Sequence, residues 1–174
     1  MIKVGIKNIG NKNIPEYKTS GSSGLDVRAD FSRVESENDL VSYGDVTFII
    51  DYTEKKKFIV MEPGSRVLIP TGFIFEIPKC EDEGYKYECQ IRSRSGLALK
   101  KGLQVTNGIG TVDQDYRDEV KVILSNTGLD PITIEDGERI AQFVFMKVEE
   151  VDFYKIKSIT QTERTGGFGH TGIK

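Results

Sequence analysis

A chain of 174 residues, 37% hydrophobic and 29% charged, has the length of one domain and enough apolar content to bury a core. Its net charge of −3 excludes the basic surface that coats a nucleic-acid polymer, though a single nucleotide needs only a few placed cations. His170 alone, with only Cys80 and Cys89 beside it, leaves neither a zinc cluster nor a disulfide framework.

No stretch has the apolar length of a membrane span, and the first residues lack the apolar core of a signal peptide. A soluble, cytoplasmic chain with reduced thiols and no membrane partner is therefore expected. Residues 2–9 alternate Ile2, Val4 and Ile6 with Lys3 and Lys7, the pattern of a half-buried strand. Pro15 and the Ser/Gly run at 19–24 mark a loop. The alternation resumes at 25–29, with Asp26 on the polar side. That place suits a functional carboxylate and an Asp bonding nearby backbone amides equally well.

Residues 31–57 are charged and poor in periodicity apart from 46–50. They read as an excursion holding an extra hairpin, with 54–57 as its solvated end. Short strands are predicted at 58–61, 65–69 and 72–77, split by Pro63-Gly64 and Pro70-Thr71-Gly72. Further strands follow at 85–91, 120–125, 132–134 and 140–148, and 97–101 is the one plausible helical turn. Short strands between Gly/Pro turns, without an internal repeat, predict an all-β antiparallel sandwich, barrel or jelly roll. Past residue 158 the composition turns to glycine with no apolar face, so 159–174 reads as a flexible C-terminal arm on a domain spanning 1–158.

Within 104–120, Asn107-Gly108 between β-branched residues predicts a hairpin whose turn positions both take φ > 0. The residues after it exceed the needs of a turn. Asp113 and Asp115 sit beside Tyr116 and Arg117, and backbone bent around glycine can approach a flat ligand. An amide to read polar edges, a ring to pack on a ring and a carboxylate to orient water make a nucleotide-base pocket with a hydrolytic group attached. Elsewhere, Arg92-Ser93-Arg94-Ser95-Gly96 ends a strand and enters the helical turn with guanidinium, hydroxyl and backbone donors for phosphate. Gln142 lies in the most apolar strand and needs hydrogen-bond partners if buried. Arg164 and Phe168 give the glycine-rich arm a cation and a ring, the parts of a flap that closes on a ligand.

In order and content these segments resemble the five motifs of the homotrimeric deoxyuridine triphosphatases (dUTPases), over nearly the whole chain. Gly24-Leu25-Asp26-Val27 resembles the first motif, Arg94-Ser95-Gly96-Leu97-Ala98 the second and residues 107–117 the third. Gly137-Glu138-Arg139-Ile140-Ala141-Gln142 resembles the fourth and residues 164–172 the fifth. The resemblance implies a jelly-roll homotrimer with shared active sites, the arm of one subunit closing another's pocket. It implies hydrolysis of dUTP to dUMP and diphosphate with Mg²⁺, by a water that Asp113 orients toward the α-phosphorus.

By the same resemblance Asn107 and the backbone around Gly110 read the uracil edge. Tyr116 packs under the deoxyribose, and Asp113 also meets the 3′-hydroxyl. Arg94, Ser95 and Gly96 hold phosphates with Gln142 beside them, while Asp26 and Gln142 meet the metal through water only. Arg164 takes the γ-phosphate, and Phe168 with Gly169 covers the base. The chain departs from the family pattern in its long 31–57 segment and in one residue fewer between Arg164 and Phe168. It also carries Asp118 where glycine is usual and His170 where serine is common. The related deoxycytidine triphosphate deaminases share the Arg-Ser motif, but their deaminating glutamate aligns with Ile123 here, which leaves no acid for attack at C4. From another class, a nucleotide-binding regulator using the 31–57 segment would need no Asp113, Tyr116 or Gln142.

Overall fold

The computed structural model of the protein describes residues 1–80 and 84–163. It is an almost all-β chain with one short helix, and every strand pairing is antiparallel. In chain order the strands are β1 (Gly5–Asn8), β2 (Leu25–Arg28), β3 (Ser42–Tyr43), β4 (Val46–Asp51), β5 (Lys56–Met61), β6 (Arg66–Glu76) and β7 (Tyr85–Ser93). Helix α1 (Ser95–Lys101) follows, then β8 (Leu103–Val105), β9 (Ile109–Val112), β10 (Val120–Asn126), β11 (Ile132–Glu135) and β12 (Arg139–Glu149). The strands form a β1-β6-β10-β8 sheet with β3 on β6, a β2-β12-β7-β9 sheet and a small β11-β5-β4 sheet.

Period-two alternation sends one face of each strand inward. Along β10 this buries Val120, Val122 and Leu124 and leaves Lys121 and Ile123 exposed. The two larger sheets meet through aromatic rings. Phe75 of β6 packs edge-on against Phe143 and Phe145 of β12, with centroids 5.1 and 5.5 Å apart. Each fully buried side chain of this size contributes about 1.5–3 kcal/mol by leaving water.

The predicted strands recur with shifts of a few residues at their ends, but three local readings change. Residues 66–76 form a single strand through Pro70. Pro70 cannot donate to a ladder, and the strand accommodates it with a bulge: Val120 pairs with Phe73 while Lys121 pairs with Pro70. Gly72 occupies the bulge at φ +77°, and a Cβ there would lie 2.4 Å from an Asp30 carboxylate oxygen. The turn at Asn107-Gly108 does not close a paired hairpin, because β8 pairs with β10 and β9 pairs with β7. Gly108 is at φ +74°, whereas Lys55 is the only non-glycine residue with positive φ among those described. The arms of this turn diverge into different sheets. Lastly, Lys57 is not solvated: its ammonium donates to the Val34 carbonyl at 2.6 Å and to Glu35 at 3.0 Å, binding the 31–57 excursion to itself.

A buried ionic node, invisible to periodicity, ties the first loop to the β11–β12 turn. Asp30, 1% exposed, accepts from the amides of Asn11 and Ser32 at 3.0 Å each. Lys12 bridges it to Asp136, which in turn accepts from the Phe31 amide at 2.7 Å. Burial alone would raise the Asp30 pKa. The hydrogen bonds from Ser32 and from the Asn11 amide, with the charge of Lys12, outweigh it and hold the carboxyl below its ordinary range. After β12, residues 151–156 form neither helix nor strand and expose Val151, Phe153 (91%), Tyr154 and Ile156. No helix among the described residues is long and apolar enough to cross a membrane.

Candidate active site

Because the arms of the 106–108 turn part into different sheets, they leave a cavity of about 230 Å³ at the mouth of the sandwich. Its apolar wall comes from Leu68, Ile91, Val105, Val120 and Ile123. Asn107, Gly110, Thr111, Asp113, Tyr116 and Lys121 supply the polar side, and Asp113 is the only carboxylate among the lining residues. Gly110 keeps the floor open: a Cβ there would sit 3.1 Å from Cβ of Ile91 and 3.4 Å from the Asn107 amide nitrogen.

The loop after β9 is braced so that its side chains hold their places. The Tyr116 amide donates to the Asp113 carbonyl at 3.2 Å, closing a turn with both side chains on it. Arg117 donates to the carbonyls of Gln114 and Tyr116, and Gln114 donates to the Pro78 carbonyl. Tyr116 is 41% exposed, and its hydroxyl donates to the Glu119 carbonyl at 3.1 Å. Burial, with the charges of Asp118 and Glu119 adding to it, raises the Tyr116 pKa, so the phenol stays a neutral donor.

A second cluster forms where β2, β12 and the end of β7 run together. In register across the sheet lie Asp26, Gln142, Arg92 and Ile109. The Asp26 side chain, 9% exposed, sits between Arg94 Nε at 3.2 Å and Arg139 at 2.9 Å. Arg94 also donates to the Arg139 carbonyl, so the strand end and the start of α1 are pinned together. Gly24 lets β2 close on Gln142, whose Cβ would be 3.1 Å from a Cβ at that position. Ser95 and Gly96 open α1 on the exposed surface.

The two clusters occupy opposite faces of the same sheet. Ile91 and Gly110 are paired and buried, facing the cavity. Their neighbours Arg92, Gln142 and Asp26 lie one residue out of phase, hence on the other side.

The model of the dUTPase family matches residues 44–172. The deoxyuridine 5′-triphosphate nucleotidohydrolase of Chlamydia muridarum is 45% identical over 162 residues, covering 92% of this chain and 91% of that one. The enzyme of the same name from Finegoldia magna is 40% identical over 172 residues, covering 98% and 99%. The chain belongs to the dUTPase family. Among solved structures, the dUTPase of Staphylococcus bacteriophage 80alpha with dUPNHPP aligns at a TM-score of 0.72 and 21% identity, over 98% of this chain and 99% of that one. A dUTPase of S. aureus phage phi11, described for its coordination of a structural Mg(II) ion, aligns at 0.65 and 16% identity over 91% and 99%. These likenesses extend the shared fold across the chain.

In this dUTPase-family chain, the residues singled out by the motifs fall into the two clusters just described. Asn107, Gly110, Asp113 and Tyr116 line the cavity. Asp26, Arg94 and Gln142 stand together on the opposite face, beside Ser95 and Gly96. Arg164, Phe168, Gly169 and His170 lie outside the described residues.

Arg139, Ile91 and Glu119 gain importance only in the structure. Arg139 lies inside the fourth motif, but its ion pair with Asp26 spans 113 residues and follows only from strand register. No group of three or more His, Cys, Asp or Glu able to cage a metal occurs among the described residues. One carboxylate beside one amide does fit a magnesium ion held mainly by phosphate oxygens and water. The arginines take one contact on each Asp26 oxygen, which leaves further lone pairs for water.

Proposed function

We propose that this chain hydrolyses dUTP to dUMP and diphosphate in the cytoplasm, supplying dUMP for thymidylate synthesis and keeping uracil out of DNA. The observation that carries the reading is the cavity itself: apolar walls, one amide, one ring and one carboxylate, Asp113. Asn107 and the backbone about Gly110 bond the uracil edge. Tyr116 lies under the deoxyribose and leaves no room for a 2′-hydroxyl. Asp113 contacts the 3′-hydroxyl and accepts a proton from water as its oxygen bonds the α-phosphorus. The bond from that phosphorus to the bridging oxygen breaks, and diphosphate leaves. Such chemistry asks the protein mainly for positioning and neutralised charge.

Arg94, Ser95 and Gly96 hold the phosphates with Gln142 beside them. Because this cluster lies on the far face of the sheet from the chain's own cavity, we infer that it serves the cavity of a neighbouring subunit in a homotrimer. The exposed apolar side chains at 151–156 support a segment that leaves its own domain for another subunit. That segment would carry Arg164 to the γ-phosphate and Phe168 with Gly169 over the base. Magnesium, when bound, supplies charge neutralisation to the triphosphate, with Asp26 and Gln142 touching its waters.

Diphosphate release from dUTP, with dTTP, dCTP and UTP as controls, tests the reading. The expected result is turnover of dUTP far above the others. Asp113→Asn should lose about 10²–10⁴-fold in kcat while still binding dUTP in a titration. Near-normal turnover in that variant would remove Asp113 as the base. No ammonia is expected from dCTP, since the cavity carries Ile123 in place of the acid that deamination requires.

A further inference from the structure

The loop that carries Tyr116 is fastened from outside the cavity. The Tyr116 hydroxyl donates to the backbone carbonyl of Glu119 at 3.1 Å. The Glu119 side chain, 10% exposed, points the other way, into the β6 bulge, where one oxygen accepts from the Gly72 amide at 2.8 Å. The same oxygen pairs with the guanidinium of Arg33 at 2.5 Å. Thr71 donates to the carbonyl of the next residue, Val120, so the bulge grips both the side chain and the backbone at this point.

Arg33 belongs to the 31–57 excursion, to which the motifs assign no role. A second, polar hollow beside the cavity is lined by Arg33, Asp39 and Val41 of that excursion together with Glu119, and it shares Leu68 and Lys121 with the cavity. A carboxylate this buried needs more than a single neutral donor to remain in place. The Gly72 amide supplies the neutral hydrogen bond, and Arg33 supplies the charge-assisted one. Without the guanidinium, the Glu119 carboxylate gains by turning to water. The Gly72 amide then loses its partner, and the carbonyl that receives the Tyr116 hydroxyl loses its anchor.

We propose that Arg33 is a positioning residue for Tyr116, and that through Glu119 the 31–57 excursion takes part in selecting deoxyribose over ribose. The inference rests on the reading that Tyr116 packs under the sugar. A ring held flat leaves no space for a 2′-hydroxyl, whereas a ring free to tilt admits one. Discrimination is therefore the property that loosening the tether erodes, more than the chemical step itself.

The experiment measures steady-state hydrolysis of dUTP and UTP by the full chain with magnesium, in wild type, Arg33→Gln and Arg33→Lys, with thermal melts alongside. For Arg33→Gln the expected result is a KM for dUTP raised about three- to tenfold with kcat within about twofold. The dUTP/UTP ratio of kcat/KM should fall by a similar factor. Arg33→Lys should keep most of that ratio, because it restores the charge. Placed on a Tyr116→Phe background, Arg33→Gln should add little, since the hydroxyl it acts through is already gone.

A purely structural role would lower the melting temperature and leave the ratio where it was. An unchanged ratio in a folded Arg33→Gln protein, or full additivity with Tyr116→Phe, overturns the inference. If Arg33→Gln does not fold, Glu119→Gln carries the same comparison, because it keeps an acceptor for Gly72 and removes only the ionic bond. A wild-type protein that leaves dUTP uncut sinks the underlying functional reading. A wild type that cleaves dUTP beside a variant of unaltered ratio sinks this inference alone.

Discussion

The cavity around Asp113 and the cluster around Asp26 lie on the two sides of one four-stranded sheet, and they are built by different means. The cavity is made by absence: a turn whose arms separate, a glycine at its floor, and a loop held by its own backbone. The cluster is made by contact, with one carboxylate clamped between two guanidiniums, one from β12 and one from the cap of α1. One region is an apolar-walled hollow with a single carboxylate, the other a concentration of positive charge around one buried carboxylate. In the homotrimer proposed above, their separation by a sheet makes each copy of this chain two half-sites rather than one whole.

The sharpest way to break that comparison is to damage each half-site in a different chain. Asp113→Asn and Arg94→Ala are each expected to be nearly inactive alone. Refolded together in equal amounts, they should regain roughly a quarter of wild-type activity, the share of sites that random assortment leaves intact in a symmetric oligomer. If both half-sites belonged to one chain's own active centre, mixing would restore nothing.

A smaller effect sharpens the shape argument. Gly110→Val should raise the KM for dUTP by about tenfold or more, because its branched side chain must displace Ile91 and the Asn107 amide. The Asp26–Arg94–Arg139 cluster should keep its geometry, visible as unaltered binding of inorganic diphosphate.

The ionic node at Asp30 should respond to pH with a defined sign. Its folded pKa lies below the ordinary 3.8, so its stabilisation is fully present above that pH and is lost as pH falls through the folded value. Asp30→Ala, which leaves the Asn11 and Ser32 amides without their acceptor while Lys12 keeps Asp136, should cost about 1–3 kcal/mol at pH 7 in chemical denaturation. The gap to wild type should narrow below pH 3.8. The smallest effect concerns the thiols. Burial pushes the Cys89 thiol up to about 12, so alkylation at pH 8 should modify Cys80 and spare Cys89 until the protein is unfolded.

Much of the architecture is legible in the sequence because each strand carries its own alternation, and alternation is a local property. Val120, Val122 and Leu124 announce the inward face of β10 without reference to anything else. The Asn107-Gly108 turn is equally local, yet its arms pair with strands that turn chemistry does not name, and so a hairpin reading fails there. Lys57 fails for a related reason. In a run of lysines it looks solvated, and only the folded excursion reveals the carbonyls it caps. At the site, Asp113, Tyr116 and Asn107 fall within one short stretch and can be read as a unit. Arg139 and Glu119 matter through partners far away in sequence, Asp26 and Arg33, which only strand register and the bulge bring within reach.

The bulge at the centre of β6 also limits how this chain can change length over time. Proline and glycine midway along an eleven-residue strand permit one alignment with β10, since a slip of one position would turn every inward side chain outward. A residue gained or lost there should be tolerated nowhere in a lineage. The β4–β5 tip around Lys55, standing in solvent, is free to lengthen or shrink. Variation in size among descendants of this sequence should accordingly gather at that tip and stop short of Arg33.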